Sequence, residues 1–391
     1  MNKCKTLAAL VATALLATVG AASAQTVTGG GASLPADLYK GSSDSILPAN
    51  FSYAVTGSGT GKKAFLENNS LLFSTTGTVH FAGSDSVLSG TELNTYTTNF
   101  NQPTNANRYG ALIQVPSVAT SVTIPFNKAG SAVNLSVAQI CGVFSGAISD
   151  WSTIDANRSG PIQVVYRAES SGTSEMFSRF LTAACAAENA DTSKLVGGKF
   201  AIKSTFADLY KRDANGNLPA FLVAAPATGG TSLYNAVYAA EGRIGYVGPD
   251  VIPNLTDATK VAKVKGFSPD QVSVQATLDT VAPPTGTDAE NPANWVPVFG
   301  NPSAGYPIAG YTNLVIGQCY KDSSVATSLR GFLARHYPAT YTVAYEKSIT
   351  DHGFIPLTKV WRDAIRNRFV LASSTAGLNN PSTCAGIGRP L

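Results

Sequence analysis

What most constrains this chain is the alternation of short β-branched runs with segments of helical spacing. Phe51–Val55 and residues 121–124, 162–165, 244–247 and 314–316 read as strands. Between them, 175–185, 231–241, 325–336 and 357–369 repeat apolar residues at helical intervals, as in Met176, Phe177, Phe180 and Leu181. Strands that alternate with helices pack as an α/β fold. With 391 residues, 44% of them apolar, the chain is long enough for two or three domains and a sizeable core. Only 13% is charged, which argues against disorder and coiled coil. Residues 281–307 carry Pro283, Pro284, Pro292, Pro297, Pro302 and Pro307 and read as a long connection.

Residues 1–24 read as an export signal: Lys3 and Lys5, an apolar stretch over 7–19, and the small residues Ala22, Ser23 and Ala24 before Gln25. The apolar stretch is about 13 residues, short of the roughly 20 that a membrane span needs. No cysteine follows it to carry a lipid, so no membrane anchor is expected, and the product is secreted or periplasmic after passing the export machinery. The net charge is +4 with those two lysines included. That is too little to suggest nucleic acid or an anionic membrane as a partner. Four cysteines remain beyond the signal, Cys141, Cys185, Cys319 and Cys384, and in an exported chain an even number suggests disulfides with three possible pairings. The sequence-local pairing, Cys141–Cys185 with Cys319–Cys384, closes loops each worth about 4 kcal/mol in the loop-entropy model. The histidines, His80, His336 and His352, are scattered, so no metal site is expected.

Three segments share one design, a Ser/Thr/Gly cluster immediately before a helical pattern. They are Gly29-Gly-Gly-Ala-Ser-Leu-Pro35, Thr56-Gly-Ser-Gly-Thr-Gly-Lys-Lys63 and Arg167-Ala-Glu-Ser-Ser-Gly-Thr-Ser174. Each presents unpaired backbone N–H groups, hydroxyls and the positive end of a helix dipole to one point, which suits an oxyanion. Ser and Thr cap helices in every globular protein, so one cluster alone says little. Three, one of them with an arginine, point to an anion site. The second is not a nucleotide P-loop, because Thr56 and Lys63 stand where that motif needs Gly and Ser or Thr. Gly83-Ser-Asp85 adds a carboxylate. A carboxylate repels a fully ionised oxyanion but accepts a hydrogen bond from a protonated one, so Asp85 would favour hydrogen phosphate over sulfate.

In this order and spacing, Ser33-Leu34, Gly57-Ser-Gly59, Gly83-Ser-Asp85 and Arg167-Ala-Glu-Ser-Ser-Gly-Thr173 resemble the phosphate site of the Pst-type periplasmic phosphate-binding proteins. The DING branch of that family is more similar still, through Ala82-Gly-Ser-Asp-Ser86, Pro116-Ser-Val-Ala-Thr-Ser-Val-Thr-Ile-Pro-Phe-Asn127 and Val165-Tyr-Arg167. The start Gln25-Thr-Val-Thr-Gly29 lacks the Asp-Ile-Asn that names the branch and points to a sister group that includes secreted low-molecular-weight alkaline phosphatases. The resemblance implies two α/β lobes around a ligand cleft, with lobe 1 over 25–119 and 305–391, lobe 2 over 120–304, and hinge crossings near 118–121 and 304–310. It implies phosphate donors at Ser33, Leu34 N–H, Ser58, Ser171, Gly172 N–H and Thr173. Arg167 would be the charged fork, oriented by Glu169, and Asp85 the single acceptor. Each local disulfide would then stay within one lobe. The functions implied are phosphate binding, feeding an ABC phosphate transporter, and phosphomonoester hydrolysis in the same cleft. For hydrolysis the candidates are Arg167, Asp85 and Ser58, with no cofactor and no metal cluster. A ligand-free adhesin would not need these residues.

Overall fold

A computed structural model describes residues 26–188 and 191–390; the export signal read over 1–24 lies outside the described residues. The first run of chain builds β1 (Val27–Gly31), α1 (Ala36–Lys40), β2 (Phe51–Val55), α2 (Ser58–Leu66), β3 (Phe81–Ser84), α3 (Gly90–Phe100) and β4 (Leu112–Ser121). An excursion follows, comprising β5 (Phe126–Asn127), β6 (Asn134–Leu135), α4 (Val137–Ser145), β7 (Gln163–Tyr166) and α5 (Gly172–Ala184). It continues through β8 (Leu222–Ala224), α6 (Gly230–Tyr238), β9 (Arg243–Ile244), β10 (Lys263–Val264) and α7 (Gln271–Leu278). The chain then returns as β11 (Ala309–Gly317), α8 (Ser323–His336), α9 (Val343–Asp351) and α10 (Lys359–Ile365).

The strands form two mixed sheets and a small ribbon. One sheet has the order β2-β1-β3-β11-β4, the other β5-β9-β7-β8, and β10 pairs with β6. In the first, β1 is parallel to β2 and β3, and β11 runs antiparallel to β3 and β4. In the second, β7 is parallel to β8 and β9. The α/β class read from the alternation is therefore what the chain adopts. The excursion between the sheets leaves at the end of β4 and re-enters at the start of β11, where Ser121 faces Ala309.

Every residue of β4 and β11 is buried. Only the last residue of β4 was legible as strand, because Pro116 and the polar Gln114, Ser117 and Thr120 interrupt its apolar pattern. The ladder accommodates them through a bulge: Thr312 pairs with Val118 but Asn313 with Pro116, which leaves Ser117 as the extra residue. Residues 122–124 continue extended from β4 without joining a sheet, although Thr123 bridges Val247. The connection over 281–307 contains two short 3-10 turns, the second of which buries Trp295. Helices α3 and α4 begin with capping boxes at Ser89 and Ser136.

Both local disulfides are formed, Cys141–Cys185 across 44 residues and Cys319–Cys384 across 65. The first ties α4 to the end of α5; the second ties the segment after β11 to the C-terminal tail.

Candidate functional site

In open α/β sheets, ligands lie beyond the carboxyl ends of the parallel strands, where loops lead into helix N-termini. Here the ends of β1, β2, β3 and β7 lead into Ser33, Ser58, Asp85 and Arg167. The three clusters read from the sequence thus converge, two from the first sheet and one from the second. They surround a cavity of about 410 Å³ lined by Ser33, Leu34, Thr56, Gly57, Arg167 and Glu169 among others. Ser58, Asp85, Ser171 and Thr173 do not line it; they are buried beside it, where Gly172 meets Ser58 and Asp85.

Local backbone explains the convergence. Gly31 ends β1 at φ +132, a conformation that L side chains rarely adopt, and a Cβ there would lie 2.2 Å from the Gly83 carbonyl oxygen. The turn after β2 is fastened to it, since Thr56 and Gly57 N–H both donate to Gly31 O, at 3.1 and 2.8 Å. This aims the start of α2 at the cavity. On the other side Ser171 is the N-cap of α5, its hydroxyl accepting from Ser174 N–H, and Gly172 and Thr173 form the first turn. Gly172 meets the opposite wall so closely that a Cβ would lie 2.3 Å from Asp85 Cβ and 2.6 Å from Ser58 Oγ.

Arg167 is 4% exposed and pairs with Glu169 through Nε and Oε1. Its Nη2 donates to Ser33 Oγ across the cleft at 3.3 Å. Glu169 Oε1 also accepts from Gly229 N–H at 2.9 Å, so the carboxylate that holds Arg167 is itself held by the turn before α6. Beneath Arg167, its N–H donates to Tyr246 Oη, which also bonds the Ser174 hydroxyl at 2.7 Å. Tyr246 packs on Phe177 and Phe206 with ring centroids 5.0 and 4.7 Å apart.

Asp85 is 3% exposed. Its N–H donates to Ser58 Oγ at 3.1 Å, and Ser58 Oγ reaches Asp85 Oδ2 at 3.4 Å. Burial pushes the carboxyl up to about 7, against the Thr312 hydroxyl, the Arg167 charge and the Ser58 hydroxyl, which lower it. The other oxygen, Oδ1, is buried with no hydrogen-bond partner among the described residues.

Thr60 and Ser170, which lie within the clusters but were given no role, also line the cavity, and the sequence missed Asp37, Asp250 and the stretch from Thr228 to Thr231. The last had a readable signal. Ala227-Thr-Gly-Gly-Thr-Ser232 before α6 repeats the cluster-before-helix design a fourth time. Tyr246 had none, since an aromatic in a strand-like run reads as core. Two histidines are packed inside: His80 Nδ1 accepts from Thr28 N–H, and His336 lies between Ser117 and Tyr345. Burial pushes them down to about 4 and about 3. Among the described residues no three His, Cys, Asp or Glu side chains gather, and no helix is long and apolar enough to cross a membrane.

Residues 17–334 match the model of the PBP superfamily domain. Alkaline phosphatase L of Pseudomonas aeruginosa is 50% identical over 97% of this chain and 99% of its own length. A solved phosphate-binding protein from Stenotrophomonas maltophilia is 69% identical with a TM-score of 0.87, covering 94% of this chain and all of that one. The high-affinity periplasmic phosphate-binding protein PfluDING, solved bound with phosphate, is 45% identical with a TM-score of 0.82, again covering 94% of this chain. The chain belongs to the PBP superfamily, and within it to the phosphate-binding proteins of the DING and Pst type.

Proposed function

We propose that the cavity between the two sheets captures inorganic phosphate. Ser33, Ser58, Ser171 and Thr173 hydroxyls and the Leu34 and Gly172 N–H groups donate to it. Arg167 supplies the charged fork, oriented by Glu169, and Asp85 accepts the one hydrogen of the ligand. The observation that carries this reading is the close approach of Gly172 to Asp85 and Ser58 beside the Arg167–Ser33 contact. It brings donors from both sheets and a single buried acceptor around one point. Dehydrated donors and one acceptor select a protonated oxyanion. The lobes are 26–119 with 305–390 and 120–304, and rotation about the adjacent ends of β4 and β11 opens and closes the cleft. Export ahead of function, and delivery to an ABC phosphate transporter, fit such a binder.

One contact supports a second activity in the same place. Ser58 Oγ lies 3.4 Å from a carboxyl raised to about 7, a nucleophile beside a base of suitable proton affinity. In that reading Ser58 attacks the phosphorus of a phosphomonoester, Asp85 takes the serine proton, and Arg167 stabilises the transferring group. The P–O bond to the alcohol breaks as its oxygen takes back the proton held on Asp85, and Asp85 then accepts a proton from the water that hydrolyses the phosphoserine, the serine oxygen regaining it as phosphate is released. The relative named alkaline phosphatase L favours it, but tight product binding alone does not accelerate a reaction. Turnover of a chromogenic phosphomonoester by the protein and by Arg167→Ala and Ser58→Ala, prepared from a host without its own phosphatases, separates the readings. Activity that falls with both substitutions supports hydrolysis; an equal trace rate in all three leaves a binder.

A further inference from the structure

Around Asp85 lies a group of buried polar atoms that the binding reading does not use. Tyr39 Oη, Thr312 Oγ1, Asn313 Oδ1 and Asp85 Oδ1 are each buried with no hydrogen-bond partner among the described residues. Tyr39, Thr312 and Asn313 are all 0% exposed. Isolated orphans of this kind are rare in folded proteins, and several together call for an explanation.

They are neighbours. Asn313 pairs with Ser84 across β11 and β3, which carries Thr312 alongside Asp85. Asn313 Nδ2 donates to Ser84 O at 2.9 Å and so fixes the backbone just before Asp85. Burial raises the Tyr39 hydroxyl, and the neighbouring Ser117 and Thr312 hydroxyls oppose that rise; burial likewise raises Asp85, and the same Thr312 hydroxyl opposes it there. The bulge between Thr312 and Asn313 re-aims this stretch, and Ser117, the extra residue opposite, is held at its hydroxyl and carbonyl by His336 Nε2 at 2.9 and 3.0 Å. The Thr312 hydroxyl stands beside both Tyr39 and Asp85, and a small side-chain shift that closes the remaining gaps makes a chain in which Tyr39 donates to Thr312 and Thr312 donates to Asp85 Oδ1. Successive donors of this kind strengthen one another in a dry interior.

We propose that Thr312, backed by Tyr39, is a positioning residue that holds Asp85 ionised through its free Oδ1, and thereby determines that the site takes hydrogen phosphate rather than sulfate. The proposal rests on the phosphate-binding reading and names residues that never touch the ligand. Other groups also face Asp85: Ser58 from α2, Arg167 after β7, Glu175 from α5 with Arg179 beside it, Tyr53 from β2, and Asp250. Each of them is left in place by the test.

The test is competition between phosphate and sulfate, by calorimetry from pH 5.5 to 9, for the wild type, Thr312→Val, Thr312→Ser, Tyr39→Phe and Asp85→Asn. Ionisation of free phosphate is common to all and cancels in the comparison. In the wild type the preference for phosphate rises with pH as Asp85 ionises. In Thr312→Val the midpoint of that rise moves up by about one pH unit, the effect of one lost hydrogen bond to a charged group. Thr312→Ser restores the wild-type midpoint. Tyr39→Phe shifts it the same way by less, and stands in if Thr312→Val does not fold. Asp85→Asn shows no midpoint. Equal midpoints for wild type and Thr312→Val, a uniform loss at every pH, or no rescue by serine overturns the inference while phosphate binding stands. A wild type that does not prefer phosphate to sulfate overturns both.

Discussion

Replacing Gly172 with alanine adds one methyl group at the point where the two walls of the cleft meet. The added Cβ would lie 2.3 Å from Asp85 Cβ, 2.6 Å from Ser58 Oγ and 3.0 Å from Asp85 Cα. Ordinary carbon contacts need about 3.5 Å or more, so the walls must part by more than ~1 Å. Backbone N–H at position 172 and every side-chain donor remain. With the walls apart, phosphate cannot keep full hydrogen bonds to Ser33, Leu34, Ser58 and Asp85 on one side and to Arg167, Ser171 and Thr173 on the other. Losing two hydrogen bonds to a charged ligand costs about 3 kcal/mol or more, on the order of 100-fold in Kd. Alanine at the first position of α5 is itself favourable by about 0.4–1 kcal/mol, so the ligand-free protein keeps or slightly raises its Tm. Titration calorimetry gives the affinity and a thermal melt gives the control. A variant that binds phosphate within about threefold of wild type would refute the reasoning, because a closed cleft has no room for that methyl group.

Asp85→Asn should stabilise the ligand-free protein at alkaline pH. The folded carboxyl is raised from 3.8 to about 7, so its ionisation penalises the folded state increasingly from about pH 4 to 7 and constantly above. Three units correspond to about 4 kcal/mol, absent near pH 4 and full by pH 8, and denaturant melts at the two pH values read it; equal differences at both would contradict the burial argument. Glu169→Gln removes the carboxylate that Arg167 and Gly229 N–H share, and should weaken phosphate about tenfold, a loss of ~1.4 kcal/mol. Unchanged affinity in the same titration would mean that Arg167 is oriented by its other contacts. Peptide mapping without reductant should find Cys141 joined to Cys185 and Cys319 to Cys384, and reduction should lower stability by about 4 kcal/mol per bridge. Cross-pairing would rule out two lobes that move independently.

Much of the site was written locally and so could be read. Ser33, Ser58 and Ser171 lie in Gly-rich turns whose own backbone needs dictate both the glycines and the following helix, and Arg167 and Asp85 sit at strand ends. What makes Asp85 unusual was not local. Gly172, at the start of α5, closes over it, and its proton affinity is tuned by Thr312, more than 200 positions away on a strand that returns late in the chain. The strand β4 was hidden because its polar residues serve the interior: Gln114 accepts from Leu88 N–H, Ser117 bonds His336, and Pro116 sits at the bulge. A hydropathy pattern cannot mark a polar residue as buried when its partner lies on another element. Helix α10 ends sooner than its spacing suggested because the backbone widens into a single π-type turn over Arg366–Val370.

Calorimetric titration of inorganic phosphate into the purified protein and into Arg167→Ala tests the central claim most directly. The wild type should take up one phosphate per chain, and the variant, deprived of the only arginine that lines the cavity among the described residues, should bind at least 100-fold more weakly with its fold intact by circular dichroism. Equal affinities in the two proteins would contradict the account, since the ligand would then be held somewhere other than this cleft.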